Sequence, residues 1–207
     1  MKLIKVAITA LCLLISTQLH AEPVEGKDYR VMDFPQPTST GKKIEVLEFF
    51  FYGCSHCYHL HPYLSDWARK MPKDVEIVYV PTVFNPNWES MAYTYYALQT
   101  MGKSHELHDA LYKAWNEQHQ ILAEQSDVSA FVAKNGVDAK QFNDAYTSFG
   151  VRSMVMRAKQ LQDTYNIRGT PTVVVDGKYV INSLPPDDII KALNGLIEKA
   201  RKDRKHK

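Results

Sequence analysis

Two cysteines three positions apart, Cys54 and Cys57, constrain the fold of this chain more than any other feature of its sequence. The segment before them, residues 43–51 (KIEVLEFFF), is rich in β-branched and aromatic side chains, which is typical of a buried strand. After Gly53, apolar residues recur at steps of three or four as far as Met71, and this spacing predicts a helix. We therefore expect the cysteine pair at a junction between a strand and a helix.

The third cysteine, Cys12, lies in an N-terminal segment that is typical of an export signal. Residues 1–21 combine two early lysines, an apolar stretch over 6–15 and a small residue, Ala21, at the expected cleavage point. Without this segment the chain has 186 residues, with 23 basic and 23 acidic side chains. We expect the basic residues 199–207 to form a solvated, frayed C-terminus.

Charge and hydropathy exclude two classes of function. A neutral protein lacks the basic surface that nucleic-acid binding requires. No segment after residue 21 has the roughly 18 apolar residues of a membrane span. We therefore expect a protein that is exported to a bacterial periplasm, is not embedded in the membrane and does not bind nucleic acid.

The spacing of the two cysteines favours redox chemistry. A disulfide stabilises mainly by closing a long loop of the unfolded chain, and a two-residue gap closes almost none. Haem attachment would need a histidine directly after the second cysteine, where this chain has Tyr58. A metal-binding module is a weaker alternative, because the helix could add a histidine ligand but no second cysteine pair exists; the candidates are His56, His59 and His61.

Cys54, at the start of the predicted helix, is the expected nucleophile. The unpaired N–H groups and the dipole of a helix start favour negative charge, so Cys54 is expected to form the thiolate that exchanges disulfides. Cys57, one turn further along, would resolve the mixed disulfide. His56 lies between them and would add positive charge beside Cys54, unless it is a solvent-facing histidine without a role.

Glu48 is an unusual residue for the middle of a buried strand. A buried carboxylate is costly unless it is paired or protonated. We interpret Glu48 as a buried acid with a raised pKa that exchanges a proton with Cys57. The alternative is an edge residue that points to water.

A second motif lies far downstream, in Arg168-Gly169-Thr170-Pro171. Two β-branched runs follow it, separated by Asp176-Gly177, and this pattern predicts a hairpin. Residues 187–199 then predict a final helix. Pro171 would open the first strand of the hairpin, where its missing N–H is tolerated.

Taken together, these segments resemble the DsbA family of periplasmic thiol:disulfide interchange proteins, whose fold is a thioredoxin fold with an inserted all-helical domain. The motifs that match are Leu47-Glu48-Phe49-Phe50, Cys54-x-His56-Cys57-Tyr58 and Arg168-Gly169-x-Pro171. The resemblance implies an α/β protein with a thioredoxin-like domain at residues 22–81 and 167–207. The inserted helical domain would then occupy residues 82–166.

The family resemblance also implies an activity and a set of partners. It implies an enzyme that oxidises the dithiols of exported proteins and is itself reoxidised by a DsbB-like, quinone-linked membrane protein. Pro171 would be a cis proline packed against the cysteine pair, and Thr170 would offer backbone groups to an extended substrate. We expect neither a cofactor nor a metal, and we expect a monomer.

The chain departs from the family pattern at three positions. Ser55 replaces a common proline, Thr170 a common valine and His61 a common acidic residue. We expect an oxidising enzyme that is less extreme than the best-known members. A disulfide isomerase or reductase is the alternative within the same chemistry, but residues 22–42 are too few to build the dimerisation domain of the dimeric isomerases.

The insertion itself predicts five helices, and none carries a catalytic set. His105 and His108 share one helical face, which we interpret as exposed surface. The predicted helices are residues 87–101, a second capped by Ser104, a third capped by Ser126 and ending at Gly136, a fourth capped by Asp138 with Gln141 completing a capping box, and a fifth over 151–165.

Overall fold

The computed structural model describes residues 22–205. The predicted export signal at residues 1–21 therefore lies outside the described residues. Within this range five strands form one sheet, in the order β1-β5-β4-β2-β3. They are β1 (Tyr29–Val31), β2 (Ile44–Phe50), β3 (Val75–Pro81), β4 (Thr172–Val175) and β5 (Tyr179–Ile181).

Seven helices surround the sheet in the described part of the chain. They are α1 (Ser55–Lys70), α2 (Glu89–Thr100), α3 (Ser104–Asn116), α4 (Gln125–Lys134), α5 (Ala139–Tyr146), α6 (Phe149–Thr164) and α7 (Pro186–Lys205). A single 3-10 turn, Pro86–Trp88, leads into α2. No helix among residues 22–205 is long and apolar enough to cross a membrane.

Strand β2 is an interior strand of the sheet, as its composition predicts. All seven of its residues are buried, and it pairs in parallel with β3 and antiparallel with β4. Its alternating side chains enter two cores. Ile44 and Val46 pack with α1 and α7, whereas Leu47 and Phe49 pack with the helices between β3 and β4. A strand buried on both faces explains the near-continuous apolar sequence.

The predicted hairpin is confirmed. Asp176 and Gly177 both have positive φ, 54° and 67°, and the N–H of Lys178 donates to the carbonyl of Val175. Two positive φ angles give the turn whose twist matches that of antiparallel strands. Gly177 is required for a further reason, since a Cβ there would lie 2.1 Å from the carbonyl oxygen of Gln36.

The helices between β3 and β4 agree with the sequence in number but not at every cap. The prediction that Ser104 caps the second of them is wrong, because Ser104 is already helical and Lys103 occupies the cap position. The predicted cap of the third helix, Ser126, is wrong for the same reason, because α4 begins at Gln125 and Glu124 occupies the cap position. Asp138 does cap the fourth, since its Oδ1 accepts from the N–H of Gln141 at 2.7 Å. The fifth begins at Phe149, two residues earlier than predicted.

The C-terminal basic segment is ordered as far as Lys205, so the prediction of a frayed terminus is wrong there. Helix α7 continues to Lys205 because its apolar face continues to Ala200, which is buried. Its basic side chains then bind other elements. Arg201 Nε donates to Asp74 at 2.7 Å, and Arg204 bonds to Asp176 and to the carbonyl of Lys43.

Candidate active site

The cysteine pair lies where β2 ends and α1 begins, as the sequence predicts. Cys54 is the N-cap residue of α1, with extended backbone angles of φ −86° and ψ 114°. Its Sγ accepts a hydrogen bond from the N–H of Cys57 at 3.3 Å. Cys54 is half-buried, whereas Cys57, one turn into the helix, is fully buried. Only Cys54 is therefore open to an incoming sulfur.

The environment of Cys54 stabilises its thiolate. The hydrogen bond with the Cys57 side chain is the largest cause that lowers the pKa of Cys54, from an ordinary 9.0 to about 5, and partial burial opposes it. The backbone N–H groups of His56 and Cys57 act in the same direction as the Cys57 side chain. These N–H groups are the unpaired donors of a helix start. At neutral pH Cys54 is an anion.

Cys57 has the opposite character. Burial is the largest cause that raises its pKa, far above the ordinary value of 9.0, and its hydrogen bond to Cys54 and the charges of Cys54 and Glu48 raise it further. Cys57 thus remains a thiol while Cys54 is ionised. The pair divides into an exposed nucleophile and a buried partner that must lose or gain a proton when the disulfide forms or breaks.

Glu48 lies in β2 with only 1% of its surface exposed. It faces Val173 of β4 on one side and Tyr79 of β3 on the other in the sheet register. Neither of its carboxyl oxygens has a hydrogen-bond partner among the described residues. Burial, and then the charge of Cys54, raise the pKa of Glu48 from 4.5 to about 8. The carboxyl is therefore mostly protonated at pH 7 and can act as a proton donor beside the cysteines.

The loop before β4 forms the other side of the site. The Thr170–Pro171 peptide bond is cis. Cys54 Sγ lies 3.3 Å from the carbonyl oxygen of Thr170, and the protonated thiol donates a hydrogen bond to that oxygen. The structure thus brings Thr170 next to the Cys54–Cys57 pair, although Thr170 lies more than 110 positions after both cysteines in the sequence.

His56 is exposed on the first turn of α1. It contributes a backbone N–H toward Cys54. Within the part of the chain that the structure describes, its imidazole makes no hydrogen bond. We predicted that the charge of the His56 side chain stabilises the Cys54 thiolate. Among the described residues, no side-chain hydrogen bond of His56 supports that role.

Histidines of the helical segment lie nearer to the site than the sequence indicates. The prediction that His108 is exposed is wrong: it is buried, and its Nδ1 shares a hydrogen bond of 2.8 Å with the hydroxyl of Tyr52. His61 of α1 is 2.5 Å from Asp109 of α3. The sequence does contain a signal for the burial of His108: Leu107, His108 and Leu111 recur at helical spacing, which predicts a buried helix face.

No group of three or more histidine, cysteine, aspartate or glutamate side chains among residues 22–205 is placed to hold a metal ion.

Comparison with known proteins agrees with this geometry. The DSBA-like thioredoxin domain matches residues 45–194. The thiol:disulfide interchange protein DsbA of Pseudomonas aeruginosa PAO1 is 36% identical over 203 residues, which cover 96% of each chain. The protein of the same name from Burkholderia cepacia is 39% identical over 171 residues, covering 80% of this chain and 81% of the relative.

Solved structures show the same similarity. The crystal structure of Pseudomonas aeruginosa DsbA has a TM-score of 0.83 at 37% identity, covering 87% of this chain and 95% of that one. NmDsbA1 from Neisseria meningitidis has a TM-score of 0.81 at 28% identity, covering 88% and 96%. The predicted fold class, a thioredoxin fold with inserted helices, is confirmed.

Proposed function

Because the chain belongs to the DsbA family of thiol:disulfide oxidoreductases, we propose that it introduces disulfide bonds into exported proteins. The observation that carries this proposal is the contrast between the two sulfurs: a half-buried Cys54 whose thiolate is stabilised and a fully buried Cys57. A pair whose reduced form is stabilised in this way accepts electrons readily from other dithiols.

The stabilised thiolate makes the pair more oxidising by an amount that can be approximated. A pKa of about 5 for Cys54 at pH 7 corresponds to at most about 2.7 kcal/mol in favour of the reduced form. Cys54 is half-exposed, and solvent screening reduces this to about 1.4 kcal/mol, or about 30 mV for a two-electron couple. This thiolate alone therefore makes a moderate contribution to the potential.

The reaction follows from the positions of the sulfurs. A substrate thiolate attacks Sγ of Cys54 in the Cys54–Cys57 disulfide, a substrate–Cys54 bond forms, and Cys57 leaves as a thiolate. Glu48 gives its proton to Cys57, which is too buried to remain charged. A second substrate thiolate then attacks the substrate sulfur, and Cys54 leaves as the stabilised thiolate. The substrate loses two electrons to the enzyme.

Thr170 and Pro171 are proposed as the substrate-binding residues. Both are partly exposed, and the carbonyl oxygen of Thr170 lies 3.3 Å from Cys54 Sγ. Backbone groups of Thr170 would pair with an extended segment of the substrate and hold its cysteine at Cys54. His56 is proposed to modulate the Cys54 thiolate from the exposed side of the helix start.

The proposal includes a location, a domain organisation and a reoxidant. The enzyme would be a periplasmic monomer, released from its signal peptide after Ala21. Its thioredoxin-like domain would occupy residues 22–81 and 167–207, and the helical domain residues 82–166. A DsbB-like, quinone-linked membrane protein would regenerate the disulfide. The family resemblance supports each of these points.

The redox potential tests the function. We expect the purified protein, equilibrated in glutathione buffers and acid-quenched, to be much more oxidising than thioredoxin, whose potential is about −270 mV. Ser55→Pro and Thr170→Val restore the common family residues beside the pair, and we expect each to shift the potential, without a change in fold by circular dichroism. A potential as reducing as that of thioredoxin would refute the proposal.

A further inference from the structure

The turn that joins β2 to α1 contains a peptide bond that can flip. The N–H of Cys54 donates to the carbonyl of Phe51 at 3.0 Å and closes a β-turn over residues 51–54, which we name the cysteine turn. Gly53, its third residue, does not have positive φ. Type I and type II turns differ by a flip of the central peptide bond, and type II needs positive φ at the third residue, which glycine adopts at no steric cost. The Tyr52–Gly53 peptide bond is therefore the part of this turn that can change orientation.

Packing explains why the third residue of the cysteine turn is glycine. A Cβ on Gly53 would lie 2.5 Å from the ring of Phe51 and 2.8 Å from the ring of Trp115 in α3. These two rings pack against each other with their centroids 5.3 Å apart, so a larger residue does not fit beside them. The position before the nucleophile is thus occupied by the residue that restricts a turn least. Another contact has to hold the turn in one conformation.

Asn116, at the end of α3, bonds directly to this peptide bond. Its Nδ2 donates to the carbonyl oxygen of Tyr52 at 2.8 Å and to the carbonyl oxygen of Tyr112, one helical turn earlier, also at 2.8 Å. The bond to Tyr112 orients the amide, and the bond to Tyr52 uses its second proton. A flip of the Tyr52–Gly53 peptide bond reverses the direction of the Tyr52 carbonyl, so it would break the hydrogen bond with Asn116.

The side chain of Tyr52 is held separately from its carbonyl. It is completely buried, and its hydroxyl shares a hydrogen bond of 2.8 Å with Nδ1 of His108, also in α3. A flip of the peptide bond after Tyr52 does not require this side chain to move, so the bond to His108 does not prevent the flip. Among the described residues, Asn116 is the side chain that bonds to the carbonyl of Tyr52.

The cysteine turn determines where the nucleophilic sulfur lies. Cys54 is both the last residue of the turn and the N-cap of α1. Its Sγ lies 3.3 Å from the N–H nitrogen of Cys57 and 3.3 Å from the carbonyl oxygen of Thr170, so a small displacement weakens both contacts. In the disulfide form a covalent bond to Cys57 also fixes this sulfur. The reduced form therefore depends more on the turn than the oxidised form does.

We propose that Asn116 is a positioning residue for disulfide exchange, because its amide holds the Tyr52–Gly53 peptide bond in one orientation and so holds Cys54 Sγ in place in the reduced enzyme. Asn116 acts through Tyr52 and makes no hydrogen bond to either sulfur. By this contact the helices between β3 and β4 influence the redox equilibrium of the cysteine pair. The inference deepens the proposed function and rests on its assignment of Cys54 as the nucleophile.

The test is Asn116→Leu, which removes the donor and keeps a side chain of similar size. Asn116→Ala removes the same donor with less bulk, so the test does not depend on whether leucine fits. Asn143→Leu is the matched control. Asn143 is also half-buried and also makes two side-chain hydrogen bonds, to Ser129 and Gln125, but both partners lie in the helices between β3 and β4.

None of these substitutions changes a charge. The titratable groups around Cys54 are the same in every variant, so a change in its titration reports its position; these groups are Glu48, His56, Cys57 and Tyr112. Circular dichroism and urea unfolding first establish that each variant is folded. The thiolate absorbance of the reduced protein is then measured against pH, and the redox equilibrium with glutathione is measured at pH 7.

We expect both Asn116 variants to bind the Cys54 proton about three- to tenfold more tightly, as expected when a hydrogen bond to a charged group is weakened. The midpoint of the thiolate titration should then rise by about 0.5–1 pH unit. Because the thiolate stabilises the reduced form, the ratio of reduced to oxidised protein at pH 7 should fall by about the same factor. Asn143→Leu should change neither quantity, whatever its effect on the free energy of unfolding.

Three results would overturn the proposal. The first is an unchanged midpoint in either folded Asn116 variant. The second is an equal shift in Asn143→Leu, which would show a general effect of loosening the helices. The third is a shift of the midpoint without one of the redox equilibrium, because the oxidised form would then depend on Asn116 as much as the reduced form does.

The original protein separates this inference from the proposed function. If its potential is far more oxidising than that of thioredoxin and the Asn116 variants do not differ from it, only the role of Asn116 is wrong. If its own potential is as reducing as that of thioredoxin, the proposed function fails, whatever the variants show.

Discussion

Replacement of Glu48 by glutamine should stabilise the reduced protein at neutral pH. Glu48 is completely buried, and its pKa is raised from 4.5 to about 8, chiefly by burial. At pH 7 the carboxyl is protonated in the folded state and ionised in the unfolded state, so folding must take up a proton. The 2.5 units between pH 7 and 4.5 correspond to about 3 kcal/mol. Glutamine has a similar shape and does not ionise, so it avoids this cost.

The pH dependence gives the sign of the effect. A folded-state pKa that is raised contributes stability below pH 4.5, and this contribution is lost as the pH rises through about 8. The free energies of unfolding of Glu48→Gln and the original protein should therefore be equal near pH 4. The difference should grow from pH 4.5, reach about 3 kcal/mol at pH 7 and level off above pH 8.

Urea unfolding of the reduced proteins at a series of pH values measures this difference. Glu45→Gln is the matched control in the same strand. Glu45 is also buried, but its Oε2 accepts from the N–H and the Oγ of Ser39, at 2.7 and 2.5 Å. We expect that variant to be destabilised by about 1–3 kcal/mol, because charge-assisted hydrogen bonds are lost. Equal stability of Glu48→Gln and the original protein at pH 7, or a difference that persists at pH 4, would refute the reasoning.

Three further predictions follow from the site and the hairpin. The thiolate absorbance of the reduced protein should titrate with a midpoint near pH 5 and vanish in Cys54→Ala; a midpoint above 8 would contradict the assignment of the nucleophile. Cys57→Ala should accumulate a stable mixed disulfide with glutathione, detected by mass spectrometry, whereas rapid release would show that Cys57 does not resolve it. Gly177→Ala should lower the free energy of unfolding by more than about 2 kcal/mol, because its Cβ would meet the backbone of Gln36 at 2.1 Å. Gly169 has open space around it, so Gly169→Ala should change the free energy of unfolding far less. Equal effects of the two substitutions would contradict this account of the turn.

The strand, the helix and the hairpin were predictable because each has a local cause. The composition of residues 43–51 favours a buried strand without reference to the rest of the chain, and a cysteine at a helix start is exposed to the same N–H groups in any fold. The turn at Asp176 and Gly177 depends on which residues adopt positive φ at low cost. The low pKa of Cys54 belongs to this class only in part: its largest cause, the hydrogen bond with the Cys57 side chain, is local, whereas the hydrogen bond with Thr170 comes from a loop 116 positions away.

The caps and the histidines were less predictable. Ser104 has a suitable side chain for a cap, but Lys103 occupies that position and makes no side-chain cap hydrogen bond, so side-chain capping does not set where α3 begins. His108 looked like a surface residue because imidazole is polar. Its burial depends on Tyr52, which lies 56 positions away and provides the hydrogen bond that makes burial tolerable.

The sequence by itself determined the redox-active cysteine pair. It gave the two cysteines, their spacing, the helix that activates the first, and a family motif for the loop that faces them. The tertiary structure decided the protonation state of Glu48 and the position of the loop that faces the two cysteines. Glu48 acquires its raised pKa only because β3, β4 and the helices exclude water from it, and Thr170 reaches Cys54 only because the loop before β4 returns to the start of α1. Desolvation is a property of everything that surrounds a group, so it is set by contacts between distant segments and not by the residues next to it in the chain.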